Sequence, residues 1–300
     1  MNQAFLAVVN PAAGGGHGRN LVGPALDRLR SGGIQVDVAE TGGPGLASQI
    51  TREAYARGYR KFIAVGGDGT SYEIVNGLFP REDSDDQPTL AFLPLGTGNS
   101  FLREFTDRGV EHAIEALLAR RSQPCDVLRL RHSHGVIHYI NLLAMGFAAD
   151  VAALRARRFS SWGELGYQSS IFISLARLRR RPFPLCLDQQ GQVDRRPCLF
   201  LTFNNSKFTG GTMLIAPKAE VNDGLIEYVR WGPIGRIGLL RNLPTLYDGT
   251  HIHHRLAERH AAKRVDFYLE APVDVMVDGE VLTLHCKTLD VLPSALNVVV

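Results

Sequence analysis

The sequence predicts an α/β protein. An N-terminal, doubly wound α/β domain is expected over residues 1–130 and a strand-built C-terminal domain over 131–290, with 291–300 able to return to the first domain. Three observations carry that prediction. Short apolar runs alternate with stretches of helical spacing up to about residue 130. Glycine-rich loops at 10–18, 66–70 and 96–99 each follow an apolar run, as loops at the carboxyl ends of parallel strands do. After residue 131 apolar runs succeed one another across Gly and Pro turns, with few helical stretches between them.

The elements follow in order. Phe5 to Val9 reads as a buried first strand, ended by Asn10-Pro11 and a turn from Ala12 to Gly18 that holds four glycines. Leu21, Val22, Ala25, Leu26 and Leu29 mark a helix face, but Pro24 suits only a first turn, so the helix is expected to start late; Gly32-Gly33 stops it. Ile34 to Ala39 alternates as a second strand, and Thr41-Gly42-Gly43-Pro44 turns into a helix ending near Gly58. Phe62 to Val65 is a third strand and Ser71 to Leu78 its helix. A polar loop, Arg81 to Pro88, leads to a fourth strand at Thr89 to Leu93; a helix from Glu111 to Arg120 precedes a fifth at Asp126 to Leu130. In the second half, 138–143, 198–203, 225–231, 264–269 and 273–277 read as strands. Two helical stretches interrupt them. Gly163 to Arg181 has Ile171, Leu175 and Leu178 on one face, and Ile234 to Tyr247 carries Ile237, Leu240 and Leu243 at helical spacing.

Composition excludes several classes. Hydrophobic residues make up 45% and charged residues 21% of 300, an ordinary globular balance, and a net charge of +3 is too small to argue for nucleic acid. Cys125, Cys186, Cys198 and Cys286 form no CxxC pair, which argues against zinc and redox motifs and for reduced thiols. No basic, then apolar, leader opens the chain, and no run reaches the ~18–20 apolar residues of a spanning helix. A cytoplasmic protein is expected, with membrane contact only peripheral and transient. Arginines concentrate at 155–158 and 177–181; they read as a solvated face or as a match for anionic headgroups. His251, His253 and His254 read as a solvated loop rather than a metal pair.

The chemistry centres on Val65-Gly66-Gly67-Asp68-Gly69-Thr70. Strand, glycine turn, helix is how α/β proteins hold phosphates: glycine lets the backbone approach, and the helix N-terminus offers N–H groups and partial positive charge. Asp68 would repel a phosphate unless a cation lay between them, so it suggests Mg²⁺, bound directly or through water. The alternative is a tight turn in which Asp68 serves the helix N-terminus.

Together with four other pieces, this motif resembles the bacterial diacylglycerol kinase/sphingosine kinase-like lipid kinases over almost the full length. Asn10-Pro11 with Gly14 and Gly18 looks like the family's first loop, Gly66 to Thr70 like its GGDGT motif, and Leu95-Gly96-Thr97-Gly98-Asn99 like its third nucleotide loop. Gly210-Gly211 to Pro217 with Asn222-Asp223-Gly224-Leu225, and Val277-Asp278-Gly279-Glu280, match its C-terminal motifs. The resemblance implies a nucleotide-binding first domain, a C-terminal β-sandwich, and Mg²⁺-dependent transfer of the γ-phosphate of ATP to a hydroxyl of diacylglycerol or a related lipid met at a membrane surface. It also makes a homodimer possible. It assigns nucleotide contacts to Asn10, Thr41, Gly66, Gly67, Asp68, Gly69, Thr70, Gly96, Thr97, Gly98 and Asn99. Glu280 becomes the proton acceptor and Asp278 its partner, and Asp223 with the backbone oxygens of Glu220 and Leu225 becomes a structural Mg²⁺ site. Asp278 and Glu280, at i and i+2, would face the same side of an extended segment; for Asp278-Gly279 a β-hairpin turn, and for Asn222-Asp223-Gly224 another turn, are the alternatives. One position departs from the family: Ser100 stands where a carboxylate is usual, leaving Asp68 and Asp126 as the candidates for metal contact in the first domain. Two other functions compete, an NAD kinase-type enzyme and a catalytically silent regulator that binds nucleotide or lipid, with Ser100 as the mark of lost catalysis.

Overall fold

A computed structural model describes residues 2–13, 19–80, 87–95, 99–158, 170 and 173–300. The chain divides into two compact units: Met1–Val127 with His138–Ile140 and Leu292–Val300, and Leu128–Ile137 with Asn141–Val291.

The first unit is a parallel sheet with helices on both faces. Its elements are β1 (Asn2–Val9), α1 (Arg19–Ser31), β2 (Val36–Glu40), α2 (Leu46–Ala56), β3 (Tyr59–Gly66), α3 (Asp68–Leu78), β4 (Thr89–Pro94) and α4 (Gly109–Leu118). β1 lies between β2 and β3, and β4 follows β3, all in parallel register. The chain's last strand then pairs Asn297 with Thr89, again parallel, and so closes on this sheet. The alternation of side chains explains the two covered faces. Ala7, Val9, Ile63, Val65, Ala91 and Leu93 form one core cluster with Leu26 and Leu29 of α1 and Ile114 and Leu117 of α4. On the other side of the sheet α2 and α3 pack on each other. Gly77 of α3 is required there, because a Cβ would fall 2.5 Å from the Ser48 carbonyl oxygen of α2. Asn76 anchors α3 further: its amide donates to the carbonyl of His138 and accepts from the His138 N–H. Pro24 lies inside α1 rather than at its start, contrary to expectation. The apolar face of Ala25, Leu26 and Leu29 buried against the sheet outweighs the hydrogen bond that proline forfeits.

The second unit is antiparallel. Continuing the numbering, β5 is Ser122–His132, β6 Gly135–Tyr139, β7 Leu142–Gly146, α5 Phe147–Arg158, β8 Phe200–Asn204 and β9 Ile226–Trp231. Then come α6 (Arg236–Asn242), α7 (Thr245–Asp248), β10 (Ala257–Ala262), β11 (Val273–Val277), β12 (Glu280–Leu284) and β13 (Cys286–Val299). One sheet has the order β10-β9-β8-β7-β11-β12. Opposite it, Leu185–Leu187, Arg264–Phe267 and the first half of β13 pair antiparallel. Phe267 of that layer meets Phe203 of β8 edge to face, with ring centroids 5.3 Å apart, so the two layers share a core as a β-sandwich.

Three expectations about this unit are corrected. The run 138–143 is two strands, β6 and β7, because the backbone N–H groups of Asn141 and Leu142 turn to a carboxylate instead of a strand partner. The stretch 163–181 is helical in its described part only at 170 and 173–176, while 159–169 and 171–172 lie outside the described residues. Its last arginine begins a short strand, Arg181–Pro182, since the residue before proline avoids the helical region. The stretch 234–247 breaks into α6 and α7 at Pro244. Its buried apolar side chains are Ile234, Leu239 and Leu246; Ile237 and Leu240 are exposed. Among the described residues no helix is long and apolar enough to cross a membrane.

Candidate nucleotide and phosphoryl-transfer site

β3 runs into Gly66-Gly67, and α3 starts at Asp68. Gly66 must be glycine, because a Cβ there would lie 2.3 Å from the Thr70 hydroxyl oxygen. Gly67 is the N-cap of α3, and no side chain caps the helix. The Gly67 carbonyl accepts the Thr70 N–H at 3.0 Å and the Ser71 N–H at 3.4 Å, which winds the first turn. Thr70 is buried, and its hydroxyl oxygen has no hydrogen-bond partner among the described residues. A buried hydroxyl without a partner, at a helix N-terminus without a cap, is the arrangement an anion completes. α2 differs. Its N-terminal N–H groups, Gly45 at 2.7 Å and Ala47 at 2.9 Å, are taken by the Glu73 carboxylate, so that helix end already holds its anion.

Asp68 lines a small pocket with Gly66, Gly67, Ser71 and Asn99. Burial holds its carboxyl above the ordinary carboxylate range. Hydrogen bonds from the Ser100 N–H, the Ser100 hydroxyl and the Phe101 N–H pull it partly back. The Ser100 N–H lies 3.0 Å from an Asp68 oxygen. The departure at residue 100 thus becomes a donor to Asp68 where a second carboxylate would repel it.

Other predicted residues gather on the same edge of the first unit. The Asn10 N–H donates to the Val65 carbonyl at 3.0 Å, which ties the end of β1 to the start of the glycine turn. The Asn10 side-chain oxygen accepts the Ala12 N–H and starts the next loop. Thr41 is buried beyond β2, its N–H on the Val9 carbonyl. An apolar pocket beside Asn10 is lined by Val9, Val22, Leu26, Val38 and Leu95. Gly14, Gly18, Gly96, Thr97 and Gly98 lie outside the described residues. Asp126 is fully buried, and its carboxylate accepts the Ser294 N–H at 2.6 Å, where the chain takes φ of 48°. It holds a left-handed residue of β13 in place, a structural use of that carboxylate.

In the second unit, Asp278 and Gly279 have φ of 47° and 90° and join β11 to β12 with Val277 opposite Glu280. This is the two-residue hairpin turn, so the expectation that Asp278 and Glu280 face one side of an extended segment is corrected. Asp278 is buried and accepts the N–H groups of Asn141 at 3.1 Å and Leu142 at 2.9 Å. Glu280 is exposed at the head of β12. Asp223 and Glu220 are exposed, and an Asp223 oxygen takes the Leu225 N–H at 2.9 Å around Gly224 at φ 72°. The turn exists, and one carboxylate with the backbone oxygens of Glu220 and Leu225, open to water, is a donor set that suits Mg²⁺. Among the described residues no three His, Cys, Asp or Glu side chains gather as a metal site.

Sequence reasoning missed the buried polar residues behind the hairpin. The Asn141 carbonyl accepts the N–H groups of Asn205 at 2.8 Å and Ser206 at 3.3 Å, and all three residues are buried. Their signal was a polar run, Asn204-Asn205-Ser206, closing an apolar strand.

The diacylglycerol kinase catalytic domain matches residues 4–130, and the YegS C-terminal NAD kinase beta sandwich-like domain matches residues 141–300. The chain belongs to this family of two-domain kinases. A diacylglycerol kinase of Mycobacterium tuberculosis is 28% identical over 297 residues, covering 97% of this chain and 93% of that one. The crystal structure of a diacylglycerol kinase from Bacillus anthracis superposes with a TM-score of 0.72 at 21% identity, covering 99% of this chain and 96% of that one. An NAD kinase from Archaeoglobus fulgidus in complex with ATP gives 0.50 at 14% identity, covering 99% and 93%. The shared fold is thus closer to the diacylglycerol kinase than to the NAD kinase.

Proposed function

We propose that the protein is an ATP-dependent lipid kinase, which transfers the γ-phosphate to a hydroxyl of diacylglycerol or a related lipid at a membrane surface. The observation that supports it most is the uncapped start of α3, with the buried Thr70 hydroxyl, unpartnered among the described residues, and the half-buried Asp68 carboxylate beside it. Phosphoryl transfer asks the protein mainly for positioning and for compensation of charge. Backbone N–H groups of Gly66, Gly67 and Gly69 and the Thr70 hydroxyl would cradle the phosphates. Asn10, Thr41, Gly96, Thr97, Gly98 and Asn99 would complete the nucleotide contacts, and the apolar pocket beside Asn10 suits a base. Mg²⁺, when bound, neutralises phosphate charge; Asp68 is the residue that would hold it, directly or through water. Glu280 would take the proton of the acceptor hydroxyl. Asp278 acts behind it by fixing the hairpin turn. Asp223 with the oxygens of Glu220 and Leu225 would hold a second, structural Mg²⁺.

The test is transfer of label from γ-labelled ATP, with Mg²⁺, to a panel of lipids in mixed micelles, with NAD as a soluble acceptor alongside. Label in a lipid, lost in Asp68→Ala and Glu280→Ala, is the expected result. Label in NAD alone would replace the reading with a small-molecule kinase, and ATP binding without transfer would replace it with a regulator.

A further inference from the structure

We propose that the outer face of α6 is a docking surface for an anionic lipid bilayer; this rests on the lipid-kinase reading for its purpose, but not for its geometry. α6 buries one side only. Leu239 is 1% exposed and joins Ile234, Leu246 and Trp231 in a core cluster. On the opposite side Ile237 is 68% exposed, the highest value among the large exposed apolar side chains described, and Leu240 is 47% exposed. These two belong to no described core, so their exposure needs another reason.

Their neighbours supply it. Arg236 precedes Leu240 by one helical turn and Arg241 follows Ile237 by one turn, so two apolar and two cationic side chains share one face. No acid lies on α6. Arg236 donates to the carbonyls of Leu175 and Ala176, and Arg180 donates to the Ile234 carbonyl just before the helix. The segment Arg177-Leu178-Arg179-Arg180, which contains no acid, is thereby pinned beside α6. Arg177 and Arg179 are exposed and make no ion pair among the described residues, so their charge is left to face outward with that of α6.

Charge complementarity selects the occupant. Ile and Leu side chains enter the boundary between headgroups and acyl chains, while arginines meet lipid phosphates beside them. A second copy of the chain bringing the same face would set arginine against arginine, which disfavours a dimer through this patch.

The test is sedimentation of the full chain, without nucleotide, with vesicles of phosphatidylcholine alone or with about a third phosphatidylglycerol. The wild type is expected to bind the anionic vesicles and to be released by salt. Ile237→Ser with Leu240→Ser should lower the partition coefficient about tenfold or more. Arg177→Glu with Arg241→Glu should lower it about tenfold and flatten its salt dependence. Binding unchanged in either pair, no binding by the wild type, or a wild-type dimer that the first pair dissociates would each overturn the proposal. Transfer to lipid dispersed in detergent micelles should be unchanged in all variants. Loss of the kinase reading would show there as no transfer by the wild type, whatever the vesicles report.

Discussion

Asp68-Gly69 and Asp278-Gly279 are the same dipeptide put to different uses. Asp68 opens α3 in helical backbone, and its half-buried carboxylate lies beside an uncapped helix N-terminus, where desolvation raises its pKa. Asp278 sits at φ 47° in a hairpin turn, and its buried carboxylate takes the N–H groups of Asn141 and Leu142. The second arrangement stabilises the fold, since the carboxylate supplies acceptors to backbone donors that strand pairing leaves over. The first opposes folding, since burial pushes the carboxyl toward its neutral form. A carboxylate kept where it costs stability points to a ligand; one kept where it joins strands points to architecture.

The largest expected effect tests that contrast at Asp68. Asp68→Asn should lower transfer about 10²–10³-fold, the scale of removing one preorganised electrostatic group. It should also stabilise the protein at neutral pH. The sign follows from the raised carboxyl pKa. As pH rises through the ordinary carboxylate range the unfolded chain gives up this proton first, so stability falls until the folded protein's raised value is passed. Asn does not titrate, so the Tm gain of Asp68→Asn should be small near pH 4 and larger near pH 7. Thermal unfolding at the two pH values checks it, and an equal difference at both would remove Asp68 from the class of groups held against their burial.

The hairpin splits the other way. Glu280→Gln should lower transfer about 10²-fold or more with Tm unchanged, because Glu280 is exposed. Asp278→Ala should lower stability by about 1–3 kcal/mol, because it leaves the Asn141 and Leu142 N–H groups without their carboxylate. Denaturant unfolding and transfer assays on both variants separate the two. A stable Asp278→Ala with no transfer would make Asp278 a direct participant and erase the contrast.

Legibility followed the range of the interaction. The strands and helices of the first unit were readable because β1, β3 and β4 are short apolar runs and their helices carry one apolar face. The glycine turn was readable because glycine is needed at Gly66 for a local reason, contact with Thr70 four residues on. What stayed hidden depends on partners distant in sequence. Nothing near Asn141 announces that Asp278 will divide β6 from β7, and nothing near Asp126 announces Ser294. The apolar spacing of Ile237 and Leu240 indicated a helix, but periodicity reports that a face exists and not what covers it.

Ser100 yields the smallest effect and the finest test. Its backbone N–H reaches Asp68 whatever its side chain, so only the hydroxyl's hydrogen bond is at stake. That bond favours the ionised carboxylate and holds the Asp68 pKa down against burial. Ser100→Ala should therefore leave the plateau rate nearly unchanged and move the acidic limb of the pH–rate profile upward, because it removes a charge-assisted hydrogen bond that favours the ionised carboxylate. Ser100→Asp should move it further, because a second buried carboxylate beside Asp68 favours the protonated form, and should steepen the dependence on Mg²⁺. A profile that stays in place in Ser100→Ala, with Asp68→Asn still inactive, would show that the working ionisation lies elsewhere than Asp68 and that Ser100 serves only the turn into which its N–H is tied.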